Sequence, residues 1–267
     1  MVRKMKDNIK TRLLSNTVFI GIDWFLGLIL SLAFWIFLGK FLLPAEYGIV
    51  YVFINFTILV GTQLPLGTSI ALFKLIPEFI ARKEYGKIKY SILFTIKLLV
   101  FLAIISTIII FLFSGFISAW LKLPLYTVYL LPLSIFLFGM FFHQTHIMLG
   151  FQKVKKVALT AFIGNVLKVI LTVLLVFIGF KMLGPIGAFI LGLLITVVFR
   201  TKYLSLRYNP VKISGRRLVS KFGFPGFLSR FNTLILISTE SIILAFFFDP
   251  AVAGIFGVGM FIASQLS

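Results

Sequence analysis

Long apolar runs, one after another from residue 14 to the end, constrain this chain more than any other feature. A membrane span needs about 20 mostly apolar residues. Runs at 14–38, 47–73, 91–113, 125–149, 158–180, 183–199, 221–248 and 251–267 reach or approach that length. In lipid, backbone polar groups must be satisfied within the spanning structure, and runs of this length do so as helices. The predicted fold is all-α, a polytopic transmembrane helix bundle. Composition agrees: 60% of the residues are hydrophobic and 12% charged, against about 25% charged in a soluble domain. The first run has no small-residue cleavage site after it, so it is expected to be a retained span rather than a signal peptide. Any one run has two other readings, a re-entrant segment or a helix broken inside the bilayer. Pro65 in "TQLPLGTS" and Pro225 in "FGFPGF" are the expected break points, since proline removes a helix hydrogen bond.

The net charge of +19 raises the question of nucleic-acid or anion binding. The distribution of the charge favours membrane topology instead, and no nucleic-acid partner is expected. Segments 1–12, 74–90, 150–157 and 200–221 hold 5, 5, 3 and 7 basic residues, while the alternate loops contain only Lys40, Lys122 and Lys181. By the positive-inside bias, this alternation puts the N-terminus in the cytoplasm of a multi-pass cell-membrane protein. With no cysteine, the chain has no disulfide framework, thiol nucleophile or cysteine zinc site.

"FLLPAEYGIVYVF" at 41–53 is then the hairpin between the first two spans, with Lys40 and Glu46 at the water surface. It is echoed by "FFFDPAVAGIFGV". At a shift of 206, residues 25–52 match 231–258 at eleven of 28 positions, Pro44 meeting Pro250 and Gly48 meeting Gly254. The plain alternative is two unrelated hairpins sharing Pro and Gly turn chemistry, but the matches extend back into the preceding helix. The offset covers six spans, an even number. Both copies therefore enter the membrane from the same side, as in transporters built from two parallel six-helix lobes with cargo bound between them. The expected organisation is a basic N-terminus at 1–12, a six-helix lobe at 13–206, a basic linker at 207–220, and the first one or two helices of a second lobe at 221–267. The chain stops at "ASQLS", so a truncated or split version of a longer transporter is expected. A second chain or separate fragment would supply the rest of the second lobe.

"LGKFLLPAEYGIVYVFINFTILVGTQLPLGTSIALFKLIPEF" resembles the opening of the polysaccharide-biosynthesis (O-antigen) flippase family, within the multidrug/oligosaccharidyl-lipid/polysaccharide exporter superfamily. "MLGFQKVKKVALTAFIGNVLKVILTVLL" looks like its fourth-to-fifth helix region, and "KFGFPGFLSRFNTLILISTESIILAFFFDPAVAGIFGVGMFIAS" is similar to its seventh helix and the hairpin that follows. The resemblance covers nearly the whole chain, through loose hydrophobic patterns punctuated by Gly and Pro. It implies a polyprenyl-linked saccharide moved by alternating access, driven by an ion gradient or membrane potential. Family members commonly carry an Asp near the position of Glu240.

Ionisable residues in mid-membrane usually face a cavity or a partner. At about 1.5 Å per residue, Asp23 lies about 16 Å beyond Arg12, Lys168 about 18 Å beyond Lys156, and Arg230 about 14 Å beyond Lys221. All three fall near the middle of a core about 30 Å thick. Asn16, Asp23 and Ser31 recur at near-helical spacing, as do Asn165, Lys168 and Thr172, and Arg230, Thr233 and Glu240. Asn55, Thr62 and Ser69 repeat every seven residues. Such stripes line a water-filled cleft or hydrogen-bond between helices in a packed bundle. The repeat sets Asp23 and Arg230 at nearly equivalent sites, as a gating salt bridge or a static pair. A lipid diphosphate is an anion, and Lys168 and Arg230 are the candidates to hold it. Lys97 is a further candidate, although it can snorkel to the headgroups. Asp23 and Glu240 are candidates for a coupling proton or sodium ion. Asn55, Thr62, Asn165, Thr172 and Thr233 are candidate cavity-lining residues. His143 and His146 lack a third metal ligand and read as hydrogen-bonding residues.

Four function classes follow. The first is a lipid-linked saccharide flippase acting among membrane lipids, without a cofactor. The second is an organic-cation antiporter of the same superfamily, for which cavity carboxylates should outnumber cations. The third, a membrane glycosyltransferase, needs a polar catalytic loop with acidic motifs that this chain lacks. The fourth is a non-transporting gene fragment.

Overall fold

The computed structural model describes the backbone of residues 2–204 and 208–266, and their side chains except at 2–17, 20, 23, 217, 230–239, 241 and 260–266. The described chain is helical throughout: α1 (Val2–Phe41), α2 (Pro44–Gln63), α3 (Thr68–Ala81), α4 (Tyr85–Leu112), α5 (Ser114–Leu121), α6 (Leu125–Val128), α7 (Leu131–Gly150), α8 (Val154–Phe177), α9 (Leu183–Thr201), α10 (Gly215–Arg217), α11 (Phe224–Phe247) and α12 (Pro250–Leu266). Six segments among the described residues are long and apolar enough to cross a membrane. Stripes such as Phe101, Ile104, Ile108 and Leu112 on α4 stay exposed. They are the surface that lipid covers in a multi-pass protein.

Proline and glycine set most of the boundaries. The apolar run 47–73 is two helices, because the chain leaves α2 after Gln63 and turns through Leu64–Gly67 before α3. Pro65 has no N–H to continue the ladder, and Gly67 adopts φ +67°, a left-handed value that favours glycine. The other expected break also falls at proline. A π-helical turn, Leu218–Gly223, gives way to α11 with Pro225 in its first turn. There the missing N–H has no intrahelical partner to lose. Pro44 and Pro250, equivalent in the repeat, both open their helices. The Glu46 carboxylate accepts from the Leu43 N–H at 3.3 Å, capping α2.

The basic segments 74–90, 150–157 and 200–221 meet at one end of the bundle. There Val211 N–H donates to Gly86 O at 3.0 Å, Tyr85 stacks on Tyr208, and Lys153 Nζ donates to Tyr203 O at 2.7 Å. Burial and the neighbouring Lys156 lower the Lys153 pKa. At the opposite end, Lys122 donates to the Phe248 carbonyl and lies 3.6 Å from Asp249.

Polar staples tie the helices together. Thr57 and Ser134 join α2 to α7 at 2.9 Å. His143, fully buried on α7, bridges Ser69 of α3 through Nδ1 at 2.9 Å and Thr95 of α4 through Nε2 at 3.0 Å. His143→Ala removes both links and leaves a void, with an expected cost of about 1–3 kcal/mol. Thermal unfolding in detergent measures it; an unchanged midpoint would show that the bridge contributes nothing.

Arg200 departs from the sequence reading, which counts it with a basic loop. It sits in the last turn of α9 and is fully buried. Its Nε donates to Thr160 at 2.9 Å, and its Nη1 donates to Thr145 at 2.6 Å and to Phe141 O at 3.1 Å. The guanidinium lies 4.4 Å from the Phe141 ring centroid. One side chain thus joins α7, α8 and α9.

Candidate substrate cavity

A cavity of about 410 Å³ opens between α1, α2, α7, α8 and α9, with Gly257 of α12 at its edge. The helices frame it because small residues let some of them approach closely. Gly164 of α8 and Gly192 of α9 pack on one another, so a Cβ on Gly192 would lie 2.9 Å from Gly164 O. The next turn of α8 places Asn165 and Lys168 on the cavity side.

The wall is largely aromatic, with Phe34, Trp35, Tyr51, Phe138, Phe141 and Phe189 all lining it. Trp35 packs against Tyr51 with centroids 5.5 Å apart. Phe34 meets Trp35 edge-on at 5.0 Å. Lys168 Nζ sits 4.7 Å from the Phe34 ring centroid, where the negative ring face attracts a cation. No hydrogen bond or ion pair to Lys168 Nζ occurs among the described residues, and Lys168 is the single charged side chain among the described lining residues. Asn55 donates one amide N–H to Tyr51 O at 2.9 Å, which leaves its carbonyl oxygen and its second N–H. Ser31, Asn165 and Thr196 complete the polar lining. Thr196 is occupied in donating to Gly192 O at 2.8 Å.

The structure brings three of the expected residues, Asn55, Asn165 and Lys168, into one cavity. Others lie elsewhere. Thr172 is buried and donates to Lys168 O at 2.7 Å. Thr62 is buried and donates to Ile58 O and Leu59 O of its own helix. The break at Pro65 also parts the Asn55, Thr62 and Ser69 stripe, with Ser69 turning to His143. Lys97 is exposed on α4 and is not among the lining residues, because α4 packs on the far side of α3 and α7. Glu240 is half-buried on α11 and is not among the lining residues. The side chains of Asp23, Arg230 and Thr233 lie outside the described residues, and so does any contact between Asp23 and Arg230.

Sequence reasoning missed the aromatic wall. In a chain with 33 phenylalanines, nothing marks the ones that face inward until the helices are assembled.

Residues 13–266 match the family model described as polysaccharide biosynthesis protein. A solved structure described as the inward-facing conformation of a multidrug resistance MATE family transporter of the MOP superfamily is similar in fold. Its TM-score is 0.68 at 16% identity, covering 86% of this chain and 56% of that one. A second solved chain, described as protein A, has a TM-score of 0.68 at 15% identity, covering 94% of this chain and 60% of its own length. The chain therefore spans less than two thirds of the solved chains it matches. No curated protein matches the sequence.

Proposed function

The chain belongs to the polysaccharide biosynthesis protein family, and on that premise we propose that it translocates a lipid-linked saccharide across the cell membrane by alternating access. The observation that carries this reading is the cavity at Lys168: an aromatic-walled space whose one charged described lining residue is a lysine with no hydrogen-bond or ion-pair partner among the described residues, set over the Phe34 ring. Burying an unpaired charge is costly, so a cationic side chain left open to a cavity favours an anionic cargo. The anionic headgroup of a lipid-linked saccharide meets that need, while the aromatic rings accept the faces of sugars. Arg230, at a similar depth on α11, is a second candidate contact for that headgroup. Glu240 and Asp23 are candidate sites for a coupling proton or sodium ion.

The solved MATE structure is of a multidrug resistance transporter, which raises a second reading, an organic-cation antiporter. Such cargo calls for a carboxylate in the cavity, whereas the charged described lining residue is Lys168.

Proteoliposomes loaded with a fluorescent lipid-linked oligosaccharide distinguish the two. Lys168→Ala is expected to lower translocation at least about tenfold, as loss of one member of a desolvated charge contact does. Undiminished translocation by Lys168→Ala would remove Lys168 from the cargo path, and the same result for Arg230→Ala would remove Arg230. Uptake of a cationic dye without saccharide translocation would favour the antiporter.

A further inference from the structure

We propose that the cavity around Lys168 is a subsite for a sugar unit bearing a single carboxylate, of the uronic-acid type, rather than the seat of the lipid diphosphate. The inference rests on the lipid-linked saccharide reading above and names which part of that cargo this cavity takes.

Three observations carry it. The first is charge. Lys168 supplies one positive charge, and no other described lining residue carries any. A sugar carboxylate balances it one for one. A diphosphate brings about two or more negative charges, and the described lining residues offer the surplus no second cation, although an unpaired buried charge is expensive.

The second is the mix of donors and acceptors. A diphosphate only accepts hydrogen bonds at its ionised oxygens, so it selects a lining made of donors. This lining is mixed. Asn55 gives one amide N–H to Tyr51 O and keeps a carbonyl acceptor beside its second N–H, a pairing that suits a hydroxyl better than an acceptor-only phosphate. Asn165 and Ser31 can donate or accept, as sugar hydroxyls require.

The third is the wall. Trp35 and Tyr51 pack at 5.5 Å, with Phe34, Phe138 and Phe141 around them. These rings present flat apolar faces to the C–H faces of a pyranose. The volume of about 410 Å³ is at the small end of the range of about 300–1,000 Å³ found for small-molecule sites. It suits a headgroup unit and not a long glycan.

Binding is read from Trp35, which lines the cavity, by its fluorescence in a Trp24→Phe/Trp120→Phe background of the full chain in detergent. The probes are three short polyprenyl diphosphates: one bearing a glucuronic-acid disaccharide, one bearing the corresponding neutral glucose disaccharide, and one bearing no sugar. The expected result is that the uronate probe binds at least about tenfold more tightly than the neutral one. Lys168→Gln should abolish that preference, and Lys168→Arg should retain much of it. A thermal midpoint for each variant shows that it is folded. Equal binding of both disaccharides, weakened equally by Lys168→Gln, would overturn the proposal by assigning Lys168 to the diphosphate, and the saccharide reading would stand. Binding of the sugar-free probe as tightly as the uronate probe overturns it in the same way. Binding of none of the three overturns both.

Discussion

Gly48→Val and Gly254→Val should each pull α12 away from α2. These glycines occupy the same place in the two copies of the repeat, 206 residues apart, and the structure packs them on one another. A Cβ on Gly254 would lie 3.1 Å from Gly48 Cα and 2.8 Å from a Tyr47 ring carbon. A Cβ on Gly48 would run into the Pro250 carbonyl. Backbone-to-backbone packing of this kind depends on small residues, and neither backbone can swing aside as a side chain does. Forcing a larger residue into such a contact costs about 1–3 kcal/mol or more, and here the helices relieve the strain by separating.

The absence of cysteine makes the separation measurable. Lys122→Cys with Asp249→Cys replaces the pair that meets at the same end of the bundle, 3.6 Å apart, and a short bismaleimide joins the two thiols. Either valine should slow cross-linking at least about tenfold, by the energy of overpacking just given. Gly39→Val is the control, because nothing lies within 4 Å of the Cβ it would add. Unchanged cross-linking in Gly48→Val would mean that this crossing does not hold α12 in place.

Arg200→Ala should be strongly destabilising. It removes the donors that reach Thr160, Thr145, Phe141 O and Val157 O from one buried side chain, and leaves a void where a fully buried side chain stood. Lost bonds to a charged group and the void together cost about 3–5 kcal/mol. The midpoint of thermal unfolding should fall by roughly 6–20 °C. Arg200→Lys keeps the charge, but a single ammonium cannot reproduce a planar fork directed at two other helices, and it should recover less than half of the loss. Arg200→Met fills the space without burying a charge and should fall between alanine and wild type, since an apolar isostere avoids the desolvation of a buried ion. A shift in Arg200→Ala below about 2 °C would show that the side chain is incidental to the packing.

These two sites show where sequence reading reached and where it stopped. The glycines were legible as a repeat, because turn chemistry leaves a local signature: proline opens each helix and glycine follows four residues later. That they touch was not legible, since contact between α2 and α12 depends on how every helix between them packs. Arg200 gave the wrong local signal. An arginine at the end of an apolar run reads as a loop charge, and only the approach of Thr145 and Thr160 from two other helices makes its burial tolerable. The cavity residues divide in the same way. Lys168 stands out because a lysine in mid-span has no lipid-facing rationale. Lys97 gave a similar signal, yet it is exposed on α4 and outside the cavity lining.

The sequence by itself determined the membrane class, the helical architecture, the alternation of basic loops, the breaks at Pro65 and Pro225, and the family. All of these follow from hydropathy, proline geometry and local pattern, which act within a few turns of one chain segment. Only the tertiary structure decided which polar residues share a space. It set Asn55, Asn165 and Lys168 against an aromatic wall, sent Ser69 and Thr95 to His143, and enclosed Arg200 between three helices. In a chain whose spans are apolar on every face, hydrophobicity does not mark which side of a helix points inward. Close packing at small residues and hydrogen bonds between helices make that choice, and both depend on residues far apart in the sequence.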